Sequence, residues 1–280
     1  MITIRRLLES SKSLFTSPRA LAILAVLYAA LLATLYGFIS IREATVWQVV
    51  LTMLFLALIP VEFFFLQAAI LQQTRAEKFH WKQIALDAIK LAVVSIPIIL
   101  LGWLLYYLLN KWQAHYPAPA PLLTMLPDPK APTPAQPVHR PTVLFATLRF
   151  FLLGVALPLA AIHLWIEVAA RDLRASFGSG AGLKRIGNAA ARAFAFDSVL
   201  TYAIGLIIFV LVPYAILFVP VQVKGNKTDF TIFVLRLVLV YAFTLIGWTV
   251  TLFALARSNN EASAAVPVST VPNAPAEAPA

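Results

Sequence analysis

Cysteine is absent from this 280-residue sequence, and charged side chains make up only 12% of it. Without cysteine no disulfide can brace the loops, and no thiol chemistry is available. A soluble domain carries about 25% charged residues. A chain with half that share and 61% hydrophobic residues does not have the composition of a soluble domain.

What the sequence does contain is six long apolar runs, at about residues 20–40, 45–71, 91–110, 146–170, 198–222 and 230–256. A helix of about 20 residues crosses a hydrocarbon core of about 30 Å. Because backbone groups in lipid must bond to each other, each run is predicted to be a helix. The runs do not alternate as barrel strands would. The sequence therefore predicts an all-α, polytopic integral membrane protein, with six transmembrane helices in one membrane domain over residues 1–257.

In this predicted topology, the basic residues lie mostly on one side of the membrane. With the first segment placed inside, the inner segments hold fourteen Lys and Arg residues and the outer segments six. This asymmetry predicts that both termini are cytoplasmic. The basic loops then face the anionic leaflet, which accounts for the net charge of +10 without nucleic acid. The compact plan favours a bacterial inner membrane.

Short motifs recur along the chain and predict three pseudo-repeated helical hairpins, formed by runs 1–2, 3–4 and 5–6. Asp87 stands before the third run and Asp197 before the fifth, where a carboxylate is expected to cap a helix N-terminus. Arg149 and Arg236 occupy matching places near the start of the fourth and sixth runs.

Four segments outside the runs are also assigned. Residues 117–141 contain nine prolines and predict an extended outer loop. Residues 258–280 are rich in Ala, Pro and Ser and predict a disordered cytoplasmic tail. Residues 79–89 and 183–194 are amphipathic and basic, so each is predicted to be a helix that lies in the membrane interface.

Three titratable side chains inside the runs are candidates for an intramembrane polar site: Glu62, His163 and Glu167. Ionisable groups in a membrane are costly and often functional. His163 and Glu167 share a helix face at i, i+4, and Glu62 lies at a similar depth to His163. If they face each other, they form a proton or cation site. The alternative is that they only bond helices together. No second histidine supports a metal site.

Four cations are candidate contacts to anionic lipid or substrate. Arg149 and Arg236 either extend to the headgroups or hold an anion on the outer side. Lys184 and Arg185 follow a glycine-rich stretch over residues 178–182. That stretch is either a hinge or a backbone nest for a lipid phosphate.

No catalytic motif, cofactor motif or metal motif is present, so the sequence predicts no enzymatic activity and no cofactor. It favours a scaffold, assembly or regulatory component of the membrane, with a membrane-protein partner or a homo-oligomer as its assembly. The alternative is a small transporter that uses Glu62, His163 and Glu167.

Overall fold

The computed structural model describes residues 2–41, 45–75, 79–117, 140–171, 180–219 and 226–264. These residues are almost entirely helical. In chain order the helices are α1 (Ile2–Phe15), α2 (Pro18–Ser40), α3 (Val46–Gln73), α4 (Trp81–Gln113), α5 (Arg140–Ala169), α6 (Gly180–Ala193), α7 (Phe196–Phe218) and α8 (Asn226–Ala264).

Six of these helices, α2, α3, α4, α5, α7 and α8, are long and apolar enough to cross a membrane. The shortest has 23 residues, against the roughly 20 that a bilayer requires. The prediction of an all-α, six-span membrane protein is confirmed. Consecutive spans pack against each other as α2/α3, α4/α5 and α7/α8, and α3 also packs along α4.

Two predicted boundaries are corrected. Helix α4 begins at Trp81 and runs without a break to Gln113, so residues 79–89 do not form a separate interfacial helix. Helix α8 continues to Ala264, so the first residues of the predicted tail are helical. Amphipathic sequence next to an apolar run continues the helix when nothing breaks the backbone. Residues 118–139 and 265–280 lie outside the described part of the chain.

Basic residues mark two levels of the bundle. On three helices a cation recurs after 21 or 22 positions: Lys90 and Lys111 on α4, Arg149 and Arg171 on or just after α5, Arg236 and Arg257 on α8. At 1.5 Å per residue the levels are about 32–33 Å apart, close to the hydrocarbon thickness of about 30 Å. We call Lys90, Arg171 and Arg257 the proximal ring, and Lys111, Arg149 and Arg236 the distal ring.

Side chains tie the α4/α5 pair together at both levels and the α7/α8 pair at the proximal level. In the α4/α5 pair, Lys90 Nζ donates to the Arg171 carbonyl (3.5 Å) at the proximal level, and Arg149 donates to Asn110 at the distal level. The α7/α8 pair is linked proximally by Arg6, which donates to Ser258 Oγ (3.4 Å) and pairs with Asp197 (3.5 Å).

Helix α1 lies outside the six predicted runs. Its buried positions, Thr3, Leu7, Ser10 and Leu14, recur every three or four residues and form one face of the helix. That face packs against α2, α7 and α8 at the proximal end. This periodicity is present in the sequence, but an alternation of small polar and leucine residues is a weaker indication of a helix than a long apolar run.

Proline changes the backbone of α5 and α7 in the same way. Residues Phe150–Ala156 of α5 and Ile207–Leu211 of α7 form π-helical turns, each followed closely by a proline, Pro158 or Pro213. Proline lacks the N–H that would bond the carbonyl four residues back. For Pro158 that carbonyl belongs to Gly154, and the hydroxyl of buried Tyr202 on α7 donates to it instead (3.2 Å).

Glycines bring α7 and α8 close together. A Cβ built on Gly205 of α7 would lie 2.9 Å from Thr251 Cβ on α8. A Cβ on Gly247 of α8 would lie 2.9 Å from Ile208 Cγ2 and 3.2 Å from the backbone nitrogen of Phe209 on α7. Small residues permit such close contact between helices in membranes. Only glycine therefore fits at both positions without a shift.

Gly247→Ala is expected to destabilise the protein by about 1–3 kcal/mol, because the new methyl group meets backbone that cannot move aside. Thermal unfolding in nanodiscs measures the effect. The control is Gly187→Ala on α6, where a Cβ would meet nothing within 4 Å. This control is expected to leave the transition temperature unchanged or slightly higher. A similar transition temperature for both variants would contradict the close packing of α7 and α8.

Tyr202→Phe is expected to cost about 1–2 kcal/mol, because it removes the hydroxyl that donates to the half-buried Gly154 carbonyl. In a Pro158→Ala background the backbone N–H returns, so the cost should shrink, and a double-mutant cycle measures the difference. Tyr214→Phe is the control, since Tyr214 is exposed and makes no hydrogen bond within the described residues. An equal loss of stability in both backgrounds would show that the Tyr202 hydroxyl does not replace the missing N–H donor at the Gly154 carbonyl.

Candidate intramembrane polar site

Glu62 bonds to α2. Thr34 Oγ1 donates to Glu62 Oε1 at 3.0 Å, and Thr34 is itself buried. The second carboxylate oxygen, Oε2, is buried with no hydrogen-bond partner among the described residues. The position follows from the α2/α3 packing, which turns this face of α3 toward α2.

His163 lies in the interior of the bundle, 1% exposed. Both ring nitrogens, Nδ1 and Nε2, lack a hydrogen-bond partner among the described residues. The guanidinium of Arg192 on α6 acts electrostatically on the ring, and it bonds Asn259 Oδ1 at 2.9 Å. A fully buried imidazole without a bonded partner is uncommon, because such groups usually find one.

Glu167 forms an ion pair with Arg171 (2.8 Å), one turn further along the chain. The structure therefore directs the three predicted residues to different partners. Glu62 bonds α2, Glu167 bonds the end of its own helix, and His163 makes no hydrogen bond within the described bundle. Within that part of the chain no group of three potential metal ligands is present.

Arg149 and Arg236 both bind the C-terminal end of the preceding span. Arg149 donates to the side-chain oxygens of Asn110 and Gln113 and lies over the Tyr106 ring, 5.8 Å from its centroid. Arg236 donates to the carbonyls of residues 217 and 219, the latter at 2.7 Å. Cations at a helix C-terminus bond free carbonyls and complement the helix dipole. The matching places noted in the sequence thus correspond to matching roles.

A cluster of charges surrounds the C-terminus of α5. Arg75, just after α3, donates to the Ala169 carbonyl. Burial lowers the pKa of Arg75 and the nearby Asp87 opposes that shift, and an arginine stays charged in either case. Asp87 accepts from Lys90 (3.0 Å) and from Gln83 (3.0 Å). The prediction that Asp87 caps a helix N-terminus is wrong, because α4 begins six positions earlier. Asp197 does stand in the first turn of α7.

Indole groups join spans at two further places. Trp165 Nε1 donates to Ser95 Oγ on α4 (2.8 Å), and Trp248 Nε1 donates to Gln67 Oε1 on α3 (2.8 Å). All these acceptors are buried. These contacts were not predicted, because a charged residue is the stronger signal within an apolar run. The available signal was a neutral polar residue within an apolar run.

Lys184 and Arg185 fall within α6, but their side chains lie outside the described part of the structure, as do residues 178 and 179. Residues 183–193 of the predicted interfacial segment are helical. The buried residues Ala189 and Ala193 lie on this helix, which packs against the C-terminal half of α5.

The chain matches no protein-family model, no curated protein and no solved structure at a significant level. Its function therefore has to be argued from the residues of the bundle.

Arg149→Met is expected to lower the unfolding temperature by several degrees, because Asn110 and Gln113 lose their shared donor in a partly buried site, at about 1–3 kcal/mol for each unsatisfied group. Arg236→Met, at an exposed site, should have a smaller effect because water can reach the freed carbonyls. Differential scanning fluorimetry compares the two variants. A larger loss for Arg236→Met would contradict the structural role given to Arg149.

Proposed function

We propose that the protein is a non-enzymatic membrane scaffold, assembly or regulatory component that binds another membrane protein. The observation that carries this proposal is Trp103 on α4. Its side chain is 67% exposed on the outside of the bundle and makes no hydrogen bond within the described residues. It lies eight positions before Lys111, which places it about 12 Å inside the distal ring.

This depth is unusual for tryptophan. Trp and Tyr concentrate at the membrane interface, where the ring is in lipid and the N–H meets water. An indole N–H that faces hydrocarbon has no acceptor. Trp103 also stacks on exposed Tyr107, with centroids 6.1 Å apart, to give a broad aromatic surface on α4. A helix of a partner protein would cover this surface and supply the missing acceptor.

The interior of the bundle supports the same function. Between the two rings, the described spans carry only three ionisable His, Asp or Glu side chains, and two of them are bonded to neighbouring groups. The Thr34–Glu62 bond joins two spans and the Glu167–Arg171 pair lies at the end of one helix, so both carboxylates are held in place. A transporter instead directs polar groups into a path that opens to alternate sides.

A small transporter is the second candidate, and His163 favours it. Its two unbonded ring nitrogens are available to a proton or a substrate, and a buried ionisable group in a membrane is a default candidate for such a role.

Native mass spectrometry of the protein, extracted gently from its own membrane, tests the scaffold proposal. We expect a stoichiometric protein partner that is lost in Trp103→Ala, because the aromatic surface is removed. The matched control is Trp47→Ala, which truncates another exposed tryptophan, at the start of α3. Retention of the partner by Trp103→Ala would contradict the assigned surface, and a lone chain would contradict the proposal.

Flux measurements in proteoliposomes distinguish the transporter from the scaffold. A scaffold carries no flux, so Glu62→Gln and His163→Ala should change nothing. Proton or cation flux that His163→Ala abolishes, with an unchanged unfolding temperature, would establish the transporter and overturn the scaffold.

A further inference from the structure

An apolar groove lies between the C-terminal end of α4 and the N-terminal end of α5. Its volume is about 920 Å³, within the range of roughly 300–1,000 Å³ typical of ligand sites. Phe145 forms its floor and is 3% exposed. The Phe145 ring packs edge-to-face on Trp112 (5.5 Å between centroids) and against Tyr116 (6.1 Å). Leu144 and Leu148 complete the apolar lining.

The groove begins at the distal ring and runs away from the hydrocarbon. Trp112 and Tyr116 come after Lys111 in the chain, at the end of α4 and just beyond it. The α5 residues of the groove come before Arg149. The headgroup layer adds roughly 5–8 Å on each side of the hydrocarbon core. The groove therefore crosses the level of the headgroups, where an uncovered apolar surface is costly. Leu144 is nonetheless 64% exposed and Trp112 56%.

Among the described residues that line the groove, one is a cation, and it stands at the far end. Arg140, the first residue of α5, lines it and is exposed. Unlike Arg149, it forms no ion pair or hydrogen bond within the described part of the chain. Arg140 and Leu148 are eight positions apart, so about 12 Å of helix separates the charge from the membrane end of the groove.

We propose that this groove binds one phospholipid of the distal leaflet. The phosphate pairs with Arg140, a few ångströms beyond its ordinary level in the headgroup layer, and one acyl chain lies along the aromatic floor past Leu148 into the hydrocarbon. The arrangement fits because a guanidinium binds phosphate with two parallel hydrogen bonds and because the lining near the membrane is apolar apart from Thr147. This proposal does not depend on the scaffold function and does not use the surface around Trp103.

The probe is phosphatidylglycerol with a diazirine in one acyl chain, present at a low fraction in phosphatidylcholine nanodiscs. After illumination, mass spectrometry of peptides should find adducts concentrated on residues 112–116 and 140–148. The same diazirine on a diacylglycerol, which lacks the phosphate, should label these residues at least fivefold less. Adducts spread evenly over the exposed faces of the spans would overturn the proposal, and so would equal labelling by the diacylglycerol probe.

Paired variants locate the site. Thr147→Trp fills the groove and should reduce the adducts at least fivefold, whereas Ala146→Trp, at the next exposed position and outside the lining, should leave them within twofold. Arg140→Ala should reduce them severalfold, whereas Arg19→Ala, an exposed arginine at the opposite end of the bundle, should not. Unfolding temperatures confirm that each variant is folded. Labelling that is unchanged by Thr147→Trp would show that the groove is not the site.

A cross-linker tests whether the groove holds protein instead of a phospholipid. Benzoylphenylalanine in place of Leu144, in the full chain and its own membrane, is expected to form adducts with phospholipid. Cross-links to residues 118–139 of the same chain, to a second copy or to another protein would each overturn the proposal.

Discussion

The structure depends on one constraint: inside a membrane, a polar group has only protein to bond with. Proline at position 158 shows how the constraint is met, because the carbonyl that it leaves unbonded on Gly154 is satisfied by the Tyr202 hydroxyl of another span. The bonds from Thr34 to Glu62 and from Trp248 to Gln67 follow the same logic. Each of these bonds joins two spans. The contacts that satisfy the buried polar groups therefore also fix how the helices are arranged.

The basic residues serve two purposes at once. Their levels match the thickness of the hydrocarbon, so they position the bundle in the bilayer. Several of them also bond the free carbonyls of helix C-termini, as Arg75 does for α5 and Arg236 for α7. Helix ends carry partial negative charge, and they lie where a cation can reach both the carbonyl and the headgroups. The residues that indicate topology in the sequence are thus the residues that secure the ends of the helices.

Function is better supported by the outside of the bundle than by its interior. Most buried polar side chains of the described residues are bonded, and the exceptions include both ring nitrogens of His163 and the hydroxyls of Ser10 and Thr249. On the outside, Trp103 presents an unbonded indole at hydrocarbon depth, and the groove near Phe145 presents apolar surface at headgroup depth. In both places the exposed chemistry does not suit the medium at that depth. This mismatch is the basis of both proposals, a protein partner in the first case and a lipid in the second.

The sequence by itself determined the six spans and the approximate levels at which they cross the membrane, because length, apolarity and charge act locally along the chain. It also placed Arg149 and Arg236 in matching positions. It did not decide which side chains meet. Glu62 and His163 lie at similar depths, yet depth says nothing about rotation around the helix axis, and packing turned Glu62 to Thr34. Asp87 was predicted to be a cap because its helix was expected to begin at the apolar run, whereas α4 runs without a break from Trp81. Contacts between helices depend on rotation, close approach at glycines and local π-turns, and only the tertiary structure sets these.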